Sequence, residues 1–294
     1  MSDRPGWADT ALKAPYEDMM IEVEGAPVHA LDWGGNGLPG LLFVHGGAAH
    51  AHWWSHLAPL FTRWYHPMAI DLTGHGDSGR RERYSHDLWA AEIVAVCEKA
   101  RFPGPPVVIG HSLGGIATIQ TAATFGNSLA GAIIVDSPVR RPDPESEEGM
   151  RGRAFKSPGT YPDLETAMGH FHLIPPQPDP DPWVMEHVAR HSLRQTDEGW
   201  TWKFDPTLFG HTLVNMSDQL QAVRCRVALL RGEQSVVVPD DTAAYMYELM
   251  GRVSPVISIP EAHHHLLLDQ PLSFVAALRA LLADWEHSVP YTRG

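Results

Sequence analysis

The sequence predicts an α/β fold: a mostly parallel eight-stranded sheet flanked by helices, interrupted by an inserted helical cap. Three observations predict it. Eight short apolar runs recur along the chain, several of them continuous rather than alternating, as strands covered on both faces are. Amphipathic stretches of helical period separate the later runs, and strand alternating with helix calls for a parallel sheet. That rhythm breaks once, between about residues 139 and 220, where Pro, Asp and Glu cluster.

In chain order the expected strands are Met20 to Val23, Val28 to Trp33, Leu41 to His45, Met68 to Leu72, Pro106 to Ile109, Ala132 to Val135, Val227 to Leu230 and Val256 to Ile259. The expected helices are Ser85 to Lys99, Leu113 to Thr124, Asp240 to Leu249 and Leu272 to Trp285. Residues 1–138 and 221–294 therefore form the core, and 139–220 the inserted cap. The cap opens with RRPDPESEEG, continues through IPPQPDPDPW and carries a helical piece from Trp183 to Ser192. Its aromatic residues are candidates for lining a pocket, Trp183 first among them, although an insertion of this size also needs apolar side chains for its own packing.

Composition limits the function classes. A chain of 294 residues with 44% hydrophobic and 19% charged residues is that of a globular protein with a sizeable core. A formal charge of -13 repels phosphate backbones and anionic lipid surfaces, so neither nucleic acid nor membrane is an expected partner. A neutral small molecule is. Cys97 and Cys225 stand far apart with no C-x-x-C spacing, which suggests neither a disulfide framework nor a zinc knuckle. The N-terminus lacks the basic and apolar regions of a secretion signal, and no apolar stretch reaches membrane-span length, so a cytoplasmic location is expected. Oligomeric state leaves no trace in the sequence.

The chemistry concentrates at PPVVIGHSLGGIATIQTAA, where Gly110, His111, Ser112, Leu113 and Gly114 form G-x-S-x-G between an apolar strand and a helix. A serine on a sharp strand-to-helix turn needs glycines two positions either side, so that neighbouring backbone passes without a Cβ clash. The turn lifts the hydroxyl clear of the sheet. The helix N-terminus beside it offers free N–H groups to a developing oxyanion, Leu113 N–H first. His111, inside the motif, is a candidate substrate contact.

This elbow resembles that of the α/β-hydrolase family, whose nucleophile follows the fifth strand. Other segments match. LLFVHGGAAHAHWW places His45, Gly46 and Gly47 after a strand, resembling the family's H-G-x loop, which implies Gly47 N–H as the second oxyanion donor. DLTGHGDSGR, Asp71 to Arg80, resembles the turn after the fourth strand and is expected to be structural. PEAHHHLLLDQP resembles the closing segment, in which the catalytic histidine stands five residues before an acidic residue, here Asp269, and so implies His264 as general base. His263 and His265 compete for that role through a register slip of one. Imidazole suits the task because it titrates near neutrality.

The acid departs from the family's commonest pattern. The segment after the seventh strand, ALLRGEQSVVVPDD, carries Ser235 or Val236 where an aspartate usually stands. A variation within the fold moves the acid to the end of the sixth strand, which here reads AIIVDSP and supplies Asp136. Its spacing of 24 residues from Ser112 resembles that in lactone-cleaving zearalenone hydrolases. Glu233 and Asp240 are the rivals. Neither the three consecutive histidines nor the set His50, His52 and His56 is expected to bind a catalytic metal, because adjacent side chains diverge and no carboxylate-rich helix completes a shell.

Together these residues imply a cofactor-free serine hydrolase that cleaves a neutral carboxylic ester or lactone through an acyl-enzyme. The alternatives are hydrolysis of a carbon–carbon bond in ring-cleavage products, and a binding protein that retains the fold without turnover.

Overall fold

The computed structural model describes residues 4–141, 159–178, 180–210 and 215–288. Most of RRPDPESEEG, from Pro142 onward, lies outside them. The strands are β1 (Glu17–Val23), β2 (Ala26–Asp32), β3 (Gly40–Val44), β4 (His66–Ile70), β5 (Val107–His111), β6 (Gly131–Val135), β7 (Leu193–Thr196), β8 (Gly199–Trp202), β9 (Arg226–Gly232) and β10 (Val256–Ile259). The helices are α1 (Gly6–Leu12), α2 (His86–Ala100), α3 (Leu113–Phe125), α4 (Leu164–Met168), α5 (Pro182–His191), α6 (Ser217–Gln221), α7 (Asp240–Leu249), α8 (Leu266–Asp269) and α9 (Pro271–His287).

Eight strands form one sheet in the order β1-β2-β4-β3-β5-β6-β9-β10. The β1–β2 and β2–β4 pairings are antiparallel and every other one is parallel. β1 and β2 meet through Glu24 and Gly25, both at positive φ, the twist that a tight two-residue hairpin requires. From β3 to β6 every strand residue is buried, because helices cover both faces. Successive residues serve opposite sides: Leu41 and Phe43 pack with Trp54, Phe61 and Phe274, whereas Leu42 and Val44 pack with Met68, Trp89 and Ile93.

The excursion is not purely helical. Besides α4 and α5 it contains the antiparallel hairpin β7–β8, extended by a bridge from Tyr161 to Trp200. Half-buried Trp202 lies 6.0 Å from Phe171, so aromatic packing rather than helical period organises this piece. Nor does it stand apart from the core. Trp183, Val184 and Val188 of α5 join the same apolar cluster as Phe43 and Trp54. The expected boundary at residue 220 falls within α6, whose Leu220 packs with Val227 and Leu229 of β9.

Candidate active site

The parallel strands run in one direction, so their C-terminal ends share an edge, where open α/β sheets collect their reactive groups. His45 follows β3, Ser112 follows β5, Asp136 follows β6 and His264 lies in the loop after β10. Ser112 has φ 53° and ψ -119°, a conformation that costs a non-glycine residue on the order of 1–3 kcal/mol. Close packing holds it there. A Cβ on Gly110 would collide with the Gly114 carbonyl oxygen and Thr118 Oγ1, and one on Gly114 with the His45 carbonyl oxygen. Both glycines let helix α3 sit directly against the strand ends.

Ser112 Oγ donates to His264 Nε2 at 3.1 Å, and His264 Nδ1 donates to Asp136 Oδ2 at 2.7 Å. Asp136 is fully buried and His264 only 3% exposed, so water does not compete for the bond between them, whereas Ser112 is only partly buried. Two further donors hold the carboxylate: Gly232 N–H to Oδ1 at 2.9 Å, and Ser235 Oγ–H to Oδ2. A neutral imidazole whose Nδ1–H faces a carboxylate has its Nε2 lone pair free for the serine proton. The arrangement is therefore chemically able to generate a nucleophile at Ser112.

The competing residues are used elsewhere. Glu233 Oε2 accepts the Glu261 N–H at an exposed position, and Asp240 pairs with Arg231. His263 donates its backbone N–H to Asp269 and bonds the same carboxylate through Nδ1 at 3.1 Å. His265 packs against Trp53 and His111.

Among the described residues neither Gly47 N–H nor Leu113 N–H has a protein acceptor. The first of these is oriented by a residue that sequence reading treated only as part of the loop. His45 Nδ1–H donates to the Gly46 carbonyl at 2.7 Å, while its Nε2 accepts the Leu72 N–H at 3.1 Å. Burial lowers the His45 pKa, which keeps the ring neutral in this double role. Gly46 C=O and Gly47 N–H belong to one planar trans peptide and point opposite ways, so fixing the carbonyl aims the N–H. A Cβ on Gly46 would lie 3.2 Å from Ser112 Cβ, which places this loop beside the serine.

Asp71 secures the surrounding turn. It accepts from Ala51 N–H at 2.6 Å, Asp77 N–H at 2.9 Å and His29 Nδ1–H at 2.8 Å. Burial opposes its charge, but the hydrogen bond and positive charge of His29 outweigh that and hold its pKa well below the usual carboxylate range.

Two expected substrate contacts take packing positions instead. Trp183, 3% exposed, is wedged edge-on between Trp7 and His56 at 5.8 Å from each. Its bulk joins the cap to the N-terminal helix. His111 is 1% exposed, and its Nε2–H donates to the His264 carbonyl at 3.0 Å, so it braces the histidine loop from beneath.

The profile of the alpha/beta hydrolase family matches residues 41–278. The chain belongs to that family. Over 286 residues it is 28% identical to the esterase Rv0045c of Mycobacterium tuberculosis, covering 94% of each protein. A crystal structure of that esterase superposes with a TM-score of 0.74 at 25% identity, over 94% of this chain and 96% of the other. Human monoglyceride lipase is 29% identical over 163 residues, which are 50% of this chain and 52% of the lipase. E-2-(acetamidomethylene)succinate hydrolase shares the fold, with a TM-score of 0.81 at 19% identity over 92% of this chain and 100% of its own.

Proposed function

We propose that this α/β-hydrolase cleaves a neutral carboxylic ester or lactone, with Ser112 as nucleophile, His264 as general base and Asp136 as the acid that orients it. The observation carrying this reading is the unbroken relay Ser112–His264–Asp136, at 3.1 and 2.7 Å. As Ser112 Oγ attacks the carbonyl carbon, its proton passes to His264 Nε2. Gly47 and Leu113 N–H groups bind the oxyanion that forms. Collapse expels the alcohol, which takes the proton from the imidazolium. Water then enters, gives its proton to the same nitrogen and attacks the acyl-enzyme, releasing the acid and restoring Ser112. No step calls for a cofactor.

The esterase likeness across nearly the whole chain favours an ester over a carbon–carbon bond, and the net charge of -13 favours a neutral substrate. The test is a panel of short esters, aryl esters and macrolactones, run alongside labelling by a fluorophosphonate. Ester or lactone turnover and labelling are expected from the natural chain, with both lost in a folded Ser112→Ala variant. Full turnover by that variant would remove Ser112 from the chemistry. An unlabelled natural chain inert on the whole panel would favour the binding-protein alternative.

A further inference from the structure

We propose that His52, His187 and His191 bind a single transition-metal ion of the zinc type, joining cap helix α5 to the turn that follows the candidate oxyanion loop. The three imidazoles come from distant parts of the chain, and one nitrogen from each lies within 4.8 Å of the others. His187 and His191 stand one turn apart on α5, and His52 faces them from the turn after β3, its ring 4.0 Å from that of His191.

Each ring has one nitrogen engaged. His52 Nδ1 bonds Ser55 Oγ at 3.0 Å, His187 Nε2–H donates to the His52 carbonyl at 3.1 Å, and His191 Nδ1–H donates to the His187 carbonyl at 2.9 Å. The other nitrogen of each has no protein hydrogen-bond partner among the described residues. Such outer contacts commonly set the tautomer of a metal-binding histidine and leave a lone pair for the ion. Zinc at about 2.0–2.1 Å from each nitrogen needs nitrogens roughly 3.3 Å apart in a tetrahedral shell, a closure of at most about 1.5 Å.

The surroundings suit a cation. The rings border an open cavity of about 240 Å³, so solvent can supply the fourth ligand. The site lies at the C-terminal end of α5, the negative end of the helix dipole. The nearby cations are each paired with a carboxylate: Arg190 with Glu186 at 3.3 Å, Arg4 with Asp9 at 3.7 Å and Lys203 with Asp77 at 2.6 Å.

The other buried histidine trio, His111, His264 and His265, is a poorer candidate, because both His264 nitrogens and one of His111 already serve the relay and its loop. The two sites are separable by experiment.

The test uses the full chain stripped with a chelator and titrated with zinc or cobalt. One equivalent should bind, raise the melting temperature and, with cobalt, give the visible absorption of a nitrogen-rich low-coordinate site. X-ray absorption of the zinc form should count three imidazoles. His187→Gln and His191→Gln should each weaken binding by about tenfold or more, since loss of even an outer-shell partner costs that much. Absence of stoichiometric uptake, fewer than three imidazoles, or unchanged affinity in the folded single variants would overturn the proposal, the last by sending the ion elsewhere. If neither variant folds, the ligand count on the natural chain decides.

Discussion

Replacing Asp136 with asparagine separates its electrostatic part from its packing, and the structure dictates how the new side chain sits. Gly232 N–H points at Oδ1, so the amide oxygen must take that position and the amide NH₂ must take the place of Oδ2. The NH₂ then faces His264 Nδ1, which has to accept rather than donate. The imidazole proton moves to Nε2, the nitrogen that receives the Ser112 proton, and the base is disabled by its own tautomer. Loss of the correct tautomer in a Ser-His-Asp relay costs about 10⁴-fold in kcat, or roughly 5 kcal/mol of barrier. The fold should tolerate the change, because Asn is nearly isosteric and keeps the bond from Gly232, although the Ser235 Oγ–H must turn away from the position that Oδ2 held. We expect kcat/KM on an aryl ester to fall about 10⁴-fold with little change in melting temperature, while Glu233→Gln stays within a few-fold of the natural chain. Steady-state kinetics with parallel thermal denaturation checks both. A folded Asp136→Asn enzyme keeping a tenth of its activity or more, or a larger loss in Glu233→Gln, would refute the assignment.

Removing the His45 imidazole frees the Gly46 carbonyl, so His45→Ala should lower kcat by about ten- to a hundredfold with KM nearly unchanged, short of the 10²–10³ for losing an oxyanion donor outright; a rise in KM alone would contradict this. The pKa of His29 is raised from 6.5 to about 9, because hydrogen bonds and charge from Asp71 override the opposing effect of burial. Its stabilisation is complete below pH 6.5 and disappears as pH rises through about 9, up to an order of 3 kcal/mol, so urea unfolding at about pH 6 and about pH 9.5 should show a decline that His29→Gln largely abolishes. Trp183→Ala should cost about 3–5 kcal/mol of stability in denaturant melts, as loss of a buried Trp does, with turnover of a small ester within a few-fold; intact stability with a raised KM would return Trp183 to the substrate pocket.

The elements legible in the sequence are those whose signal is local. Every parallel strand was visible as an apolar run, and the turn at Ser112 as glycines at fixed offsets, because backbone clearance there depends on residues two positions away. The hairpin β7–β8 does carry a local signal, the turn residues TDEG followed by the aromatic–polar alternation Trp200, Thr201, Trp202, Lys203 and Phe204, but the run is short and lies in a Pro-rich excursion, and its order is completed by packing on Phe171 and Tyr161. The histidines illustrate the same limit. Nearness in sequence suggested His50, His52 and His56 as a set, yet the partners of His52 come from α5, 135 or more residues away. His50 instead bonds Ser192 Oγ at 2.9 Å, and His56 donates to the Leu267 carbonyl at 2.9 Å.

The position of the proposed acid, Asp136, follows from the neighbour relation between β6 and β9. Asp136 N–H donates to the Leu230 carbonyl on β9 at 2.8 Å, and Ser112 N–H to the Val135 carbonyl on β6 at 3.0 Å, so the backbones of the proposed nucleophile, the proposed acid and the β9 end form one hydrogen-bonded ladder. Asp136 leaves its strand at φ 48°, a left-handed turn that Asp tolerates better than most residues, and brings its carboxylate beneath the His264 loop. Ser235, one of the two residues (with Val236) at which the resembled pattern would carry its acid, donates Oγ–H to that carboxylate and accepts the Val237 N–H at 3.1 Å. The usual acid site is therefore not empty of purpose. It holds a donor for a carboxylate delivered one strand across, from β6, the neighbour of β9 in the sheet.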